Sequence, residues 1–416
     1  MNSVEMRALP IQQKTRMHWV MVFIAMISLM VSNGMIFTGI TAFDSAILAD
    51  FPDWSRADLK LRELITLILI GVLAPFIGIF IDRLGVRVLM IIGCLVLAPC
   101  YFAYGYVQNL THLYIIHGFF ALVMVCCGLN VGVILVSNWF VKNRGTAIGI
   151  AIVGTSLGGA LMAPLFGGWL ASGMDWRQGF QLASVIPFSL LLLALFLVKS
   201  KPVQLGLQPY GFYQQTQAEQ TSDISQQGLS YREAISTRSF WAITLIAMCT
   251  FYILMGLQAN LVLHLQDIGF DIQSAAAGLS MLFIPALVGK FLFGLFADKF
   301  HGKKILYSNL VMMFAGLLGL LYSSAATVLA AVFIIGFAWG GFYTLLQLNA
   351  VNNFGLKASG KILGTITILD ALGGGLGIYL TGMIFDHYGS YSNAFIIYLV
   401  LCALAIGLVG YVKKHV

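Results

Sequence analysis

A chain of 416 residues in which 59% are hydrophobic and only 9% charged, with a mean hydropathy of +0.91, lies far outside the soluble range, where roughly a quarter of residues are charged. The net charge of +7 comes without a basic cluster interleaved with aromatics, which argues against a nucleic-acid partner. No Ser/His/Asp or metal-ligand spacing appears, and little soluble mass is left to house one, so neither an enzyme nor a cofactor is expected.

In chain order, the first 18 residues are polar. The apolar run after them is too long for the h-region of a cleaved leader, so it is expected to remain as a span. A span needs about 20 apolar residues to cross a hydrocarbon core about 30 Å thick. Twelve such runs follow: Trp19–Phe43, Leu64–Ile81, Val88–Gln108, Leu113–Val141, Gly145–Met174, Gln178–Val198, Ser239–Leu263, Ile272–Ala297, Ile305–Ser324, Thr327–Phe354, Ile362–Phe385 and Tyr388–Val412. Backbone groups cannot stay unpaired in lipid and no alternation marks a barrel, so the runs predict helices and an all-α membrane protein.

Short cytoplasmic loops collect Lys and Arg. With both termini inside, only Arg56, Lys60, Arg62 and Arg177 of the 23 basic residues fall outside, and Lys290 falls within a span. The expected location is the inner (plasma) membrane, multi-pass, with a monomeric chain. Cys94, Cys100, Cys126, Cys127, Cys249 and Cys402 all fall in expected helices and read as small packing residues.

Residues 199–238 form the one long polar segment, rich in Gln, Ser and Thr between Gln214 and Gly228. It reads as a cytoplasmic linker between a six-helix half at 1–198 and another at 239–416. Leu229 to Arg238 is expected to lie along the membrane surface. Asp82-Arg83-Leu84-Gly85-Val86-Arg87 after the second span has a second copy, Asp298-Lys299-Phe300-His301-Gly302-Lys303, after the eighth (298 − 82 = 216). Gly78 and Gly294 stand four residues ahead of each acid, so the chain reads as one membrane unit present twice. Such repeats place substrate near the midplane between the halves, with alternating access by rocking of one half on the other. Gly145, Gly149, Gly154, Gly158 and Gly159 in the fifth span, and Gly364, Gly373, Gly374, Gly375 and Gly377 in the eleventh, allow close helix approach.

The stretch Gly78 to Arg87 closely resembles the signature loop of the major facilitator superfamily, with the second copy as its degenerate partner, and Arg144-Gly145-Thr146-Ala147-Ile148-Gly149 agrees. Within that superfamily, Pro202 to Pro209 and Arg238-Ser239-Phe240-Trp241 resemble the monocarboxylate porters and the oxalate:formate antiporters. The resemblance implies two six-helix halves and a secondary transporter. Asp82, Arg83 and Arg87, with the weaker Asp298, Lys299 and Lys303, would latch the cytoplasmic side through charge pairs and helix-end dipoles. The alternative is an ordinary positive-inside loop.

Lys290 and Asp370 are the charges expected well inside spans, at matching depths, and each costs about 2.5 to 3.5 kcal/mol on insertion scales. The expectation is that Lys290 binds a substrate carboxylate and that Asp370 carries a proton or holds the lysine when the site is empty. A snorkelling lysine and a structural aspartate are the alternatives. By resemblance, Lys290 falls where monocarboxylate porters and oxalate transporters place a substrate-binding arginine, and Asp370 where oxalate transporters carry a second cation. One cation and one acid suit a monoanion with a proton, or a zwitterion, better than oxalate. Thr38 and Ala286 stand where monocarboxylate porters carry a lysine and an aspartate, which argues against simple lactate transport.

Asn33, Thr38, Asn130, Gln258 and Gln347, with Tyr343, lie on helices that line the cavity in this superfamily and are the further substrate-contact candidates; His117, Asn260 and Asn349 are other polar residues in those spans. Each of the polar residues can equally be a helix-to-helix hydrogen bond. Phe37, Trp339 and Phe342 could wall the cavity or simply pack. His117 lies close to an outer helix end and is expected to be solvated; Asp44 sits near the outer mouth, where an acid needs no functional explanation. The expected function is proton-coupled movement of a small organic anion. The rival is proton-coupled efflux of drugs, siderophores or other metabolites, from the likeness of Ala163-Pro164-Leu165-Phe166-Gly167-Gly168 to the exporters' proline-glycine motif. A channel is disfavoured because charged rings are missing.

Overall fold

Apolar runs of this length leave the backbone no hydrogen-bond partner but itself, and the computed structural model closes them into helices that describe residues 15–73, 76–211, 228–299, 302–355 and 358–413. The first rod is α1 (Thr15–Asn33), then wide turns at Gly34–Thr38 and tight ones at Gly39–Phe43, then α2 (Asp44–Asp50). The second is α3 (Arg56–Leu73) with α4 (Ile77–Leu84), the third α5 (Val86–Tyr104), and the fourth α6 (Leu110–Cys127) with α7 (Leu129–Trp139). The fifth is α8 (Arg144–Ala171), and the sixth is α9 (Trp176–Ala183) with α10 (Val185–Phe196). A short α11 (Tyr231–Ile235) precedes the later six rods. These are α12 (Arg238–Asp267), α13 (Ile272–Lys299), α14 (Gly302–Leu321), α15 (Val328–Phe354), α16 (Ser359–Tyr388) and α17 (Ser392–Leu408).

Among the described residues, 10 rods are long and apolar enough to cross a membrane. The opening turns of α3 carry Arg56, Asp58, Lys60, Arg62 and Glu63. The second rod starts at Arg56 rather than at Leu64, the expected start of the span. A hydropathy reading counts each charge as a cost and cannot see the partner that offsets it. The first, fourth and sixth rods, expected as continuous runs, are each interrupted, at Gly34–Phe43, Gly128 and Ser184.

Each half has a glycine-packed crossing between its first and fifth rods. Gly154 and Gly158 of α8 press on the backbone carbonyls of Met26 and Met30 of α1, and Gly373 and Gly377 of α16 press on those of Met248 and Tyr252 of α12. The same two glycines, four residues apart, recur in the equivalent rod of the later half, so the internal repeat is expressed as packing. The halves meet along two seams, α8 with α13 and α3 with α16. In the first, Ser280 Oγ donates to the Ala160 carbonyl at 2.6 Å. Both described chain ends lie at one end of the bundle, called the terminal end below; the other is the far end.

The polar connection is docked at both sides. Tyr210 N donates to the Trp139 carbonyl at 2.8 Å, and Leu229 N to the Phe354 carbonyl at 2.8 Å. The expected surface stretch is α11, started by a reciprocal Ser230–Glu233 cap and pinned to the later half by a Tyr231–Thr365 hydroxyl contact of 3.0 Å.

Candidate functional site

The interrupted rods supply the centre of the site. Where rod 1 unwinds, Thr38 is buried and its hydroxyl donates back to the Gly34 carbonyl at 2.8 Å. The Phe37 carbonyl is left facing the opposite half, where Gln258 Nε2 of α12 donates to it at 3.4 Å. Asn33 donates to the Leu29 carbonyl at 3.3 Å and to Ser32 Oγ at 3.4 Å. Rod 4 breaks at Gly128, whose backbone is extended, and Asn130 follows directly with an exposed side chain. Discontinuous helices at corresponding places in transporter repeats mark binding sites, because unwound backbone can be satisfied only beside a cavity or protein. Of the aromatics, Phe342 is fully buried and Trp339 packs on Phe283 with ring centroids 4.9 Å apart. The side chains of Tyr343 and Gln347 lie outside the described residues.

Lys290 sits on α13 at the first seam. Its ammonium donates across the seam to Ser156 Oγ at 2.7 Å and to Thr155 Oγ1 at 3.4 Å, both on α8. Among the described ion pairs it has no carboxylate partner, and the expected approach to Asp370 does not occur. Asp370 shares a stripe of α16 with Gly373, Gly374 and Gly377, by the i, i+3, i+4, i+7 spacing. That stripe packs on α12 within the same half, so the acid is buried away from the seam that holds the lysine. Matching depth along the membrane does not make two residues neighbours; helix rotation decides that.

A larger concentration of charge escaped the sequence reading. Asp44, placed near the outer mouth, and Lys60 and Arg62, expected outside, are all 0% exposed, and Glu63 is 1% exposed. Lys60 Nζ lies 2.5 Å from Asp44 Oδ2 and 3.6 Å from Glu63 Oε1. Arg62 pairs closely with the other Asp44 oxygen, lies 3.5 Å from Glu63 Oε1, and donates to the Tyr104 hydroxyl at 3.0 Å. His117, expected to be solvated, is fully buried: its Nδ1 lies 3.0 Å from Thr66 Oγ1 and its Nε2 3.3 Å from the Tyr104 hydroxyl. The group brings two acidic and two basic residues together inside the bundle, and Asp44, with one oxygen on each base, offsets most of their burial cost. The available signal was the clustering of Lys60, Arg62 and Glu63 directly before the apolar run, with Asp44 across the turn.

The same helix ties the halves together at the far end. Lys60 Nζ also donates to the Ala259 carbonyl of α12. The Arg56 guanidinium grips both oxygens of Asp267 at 2.7 Å and lies 3.5 Å from the centre of the Phe385 ring. Its backbone N–H and that of Ala57 donate to the Asp386 carboxylate at 2.9 and 2.7 Å, so an acid of one half caps a helix of the other. The far end is closed.

At the terminal end the expected latch is only partly described, because the side chains of Asp82, Asp298 and Lys299 lie outside the described residues. Arg83 is exposed. Arg87 donates to the Leu195 carbonyl at 2.5 Å, and its backbone N–H to Ser200 Oγ at 3.1 Å. Lys303 donates to the Gly410 carbonyl at 3.0 Å. Each of these described contacts stays within its own half.

The profile of the Major Facilitator Superfamily matches residues 18–378. Monocarboxylate transporter 13 of Bos taurus is 27% identical over 323 residues, 76% of this chain and 71% of the relative. The glycerol-3-phosphate transporter of Bacillus subtilis (strain 168) is 22% identical over 284 residues, 65% of this chain and 64% of the relative. Among solved structures, a bacterial homolog to the human lysosomal transporter Spinster, in an inward-facing and occupied conformation, superposes with a TM-score of 0.74 at 18% identity, covering 94% of this chain and 96% of that one.

Proposed function

Because the chain belongs to the Major Facilitator Superfamily and is a membrane transporter that works by alternating access, we propose that its cargo is a small organic anion of the monocarboxylate type, moved together with a proton. One observation carries this reading: Lys290 is a charge at membrane depth, on the seam between the halves, satisfied by two neutral hydroxyls. An ammonium so placed has no counter-ion to give up to an incoming carboxylate, which replaces hydroxyl partners by a charge-assisted bond roughly twice as strong. Gln258 and Asn33, with the unwound Gly34–Phe43 segment, would orient the rest of the ligand. Asp370, buried and outside the described ion pairs, is the proposed proton carrier. The distribution of Lys and Arg supports termini in the cytoplasm, with the far end outside. Resemblance to monocarboxylate transporter 13 supports the same cargo class.

The test uses purified protein in liposomes with an imposed pH gradient and a panel of labelled monocarboxylates. Uptake should follow the proton flow, and K290A should abolish it while the protein remains inserted. Undiminished uptake by K290A removes the cargo assignment, and exchange of substrate against the proton flow favours the efflux reading instead.

A further inference from the structure

We propose that Glu63 is an outer proton-binding site of this carrier, and that the charge group around it is the lock of the far gate. The proposal extends the proton coupling proposed above and rests on it. Of the two acids in the group, Asp44 is fully engaged: one oxygen is on Lys60 and the other on Arg62. Glu63 is the odd member. Its Oε1 touches the same two cations only at 3.6 and 3.5 Å, and its Oε2 is buried without a hydrogen-bond partner. A dry carboxylate with one oxygen unsatisfied is a poor resident, whereas a carboxylic acid keeps fewer acceptor sites to satisfy.

The surroundings connect that acid to the gate. The groups facing it from the packed elements are Asp44 of α2, Lys60 and Arg62 of its own helix, Tyr104 of α5, His117 of α6 through Thr66, and the Ala259 carbonyl of α12. On α16, the nearest approach to this part of α3 is Gly375 against Leu64, and the charged group farther out is Asp386 on the Arg56 and Ala57 amides. Lys60 is the shared member: it holds Asp44 and Glu63 in one half and a backbone carbonyl of the other. Opening the far gate draws α3 from α12 and α16, frees Lys60 from Ala259 and admits water to Glu63, which then ionises. Closing expels that water, and Glu63 takes a proton from the outer solution as it does so. The excess positive charge is shared by Lys60 and Arg62, with Asp44, the Ala259 carbonyl and the Tyr104 hydroxyl around them. A low outer pH thus closes the far gate; because Glu63 ionises only when that gate reopens, its proton returns to the outer solution, so Glu63 sets the pH dependence of the gate while the carried proton is the one proposed for Asp370.

The experiment needs no substrate. Spin labels at Asp53→Cys and Gln273→Cys, exposed positions at the far end of each half, are placed on the full chain lacking its native cysteines, in lipid nanodiscs, and distances are measured from pH 5 to pH 9. The unsubstituted cluster should move from a short to a long separation as pH rises. E63Q, a neutral mimic of the protonated acid, should hold the short separation throughout, while E63D should restore the shift and so exclude a folding defect. A parent that does not shift, or an E63Q variant that shifts like the parent, overturns the proposal. If E63Q titrates like the parent while liposomes show proton-coupled uptake, the lock fails and the coupling stands; if E63Q loses the shift and liposomes show no proton-coupled flux, the lock stands and the coupling fails.

Discussion

Lys60 on α3 and Ala259 on α12 meet across the boundary between the halves, side-chain ammonium to backbone carbonyl. No side-chain substitution at 259 removes the acceptor, so the strength of this tie is set wholly by the lysine and by the acids that hold it.

Truncating either buried base should be costly. Removing one partner of a buried pair leaves an uncompensated charge, worth about 3–5 kcal/mol. K60A and R62A should each lower the thermal unfolding temperature of detergent-solubilised protein markedly. K60M combined with D44N should recover part of the loss, and strict additivity in that double-mutant cycle would mean the two groups are not coupled.

The Arg56 grip is of another kind, since it lies at the rim, with side-chain exposures of 15% and 31% for the two partners. Such pairs contribute about 1 kcal/mol, and the Phe385 face about as much again. R56A should leave folding intact yet shift the far-end equilibrium toward open by about thirtyfold. Distance distributions across the far end check this; an unchanged distribution means the Lys60 and Asp386 ties hold the far end without the Arg56 side chain.

Lys290 should show the opposite sign in stability. Its burial cost is not offset by a counter-ion, so K290M should melt at or above the parent temperature even as anion transport is lost. A large drop in melting temperature would instead make the lysine a structural tie between α8 and α13.

The glycines separate by environment. A Cβ on Gly158 meets the Met30 carbonyl and the Gly34 backbone, whereas one on Gly149 meets nothing within 4 Å. G149A should be neutral or stabilising by about 0.5–1 kcal/mol, and G158A should reduce the yield of folded protein. Equal behaviour of the two in a solubilisation and melting assay counts against the α1–α8 crossing.

The twelve rods, their order and the repeat were legible because apolar length and loop charge are local properties of the chain. Breaks within rods were not, since Gly34 to Phe43 keeps the apolar composition of a regular helix and unwinds through its contacts with α8. The site was half legible. Lys290 stood out as a lone charge in an apolar run, but its partners Thr155 and Ser156 are on another helix, and Asp370 shares the spacing of the glycine stripe that packs on α12. The Asp44, Lys60, Arg62 and Glu63 group was misread because charge next to a turn resembles a loop until the neutralising partner is seen. Gln258 and Thr38, read as cavity polars, turned out to be bonded to backbone carbonyls at the unwound segment.

The paired glycines that seat α8 on α1, and α16 on α12, give each half its own keel, made from rods of that half alone. The carrier should therefore survive being severed between the keels: two fragments expressed from separate messages, one ending and the other beginning within residues 212–227, should find each other in the bilayer and restore a single working machine.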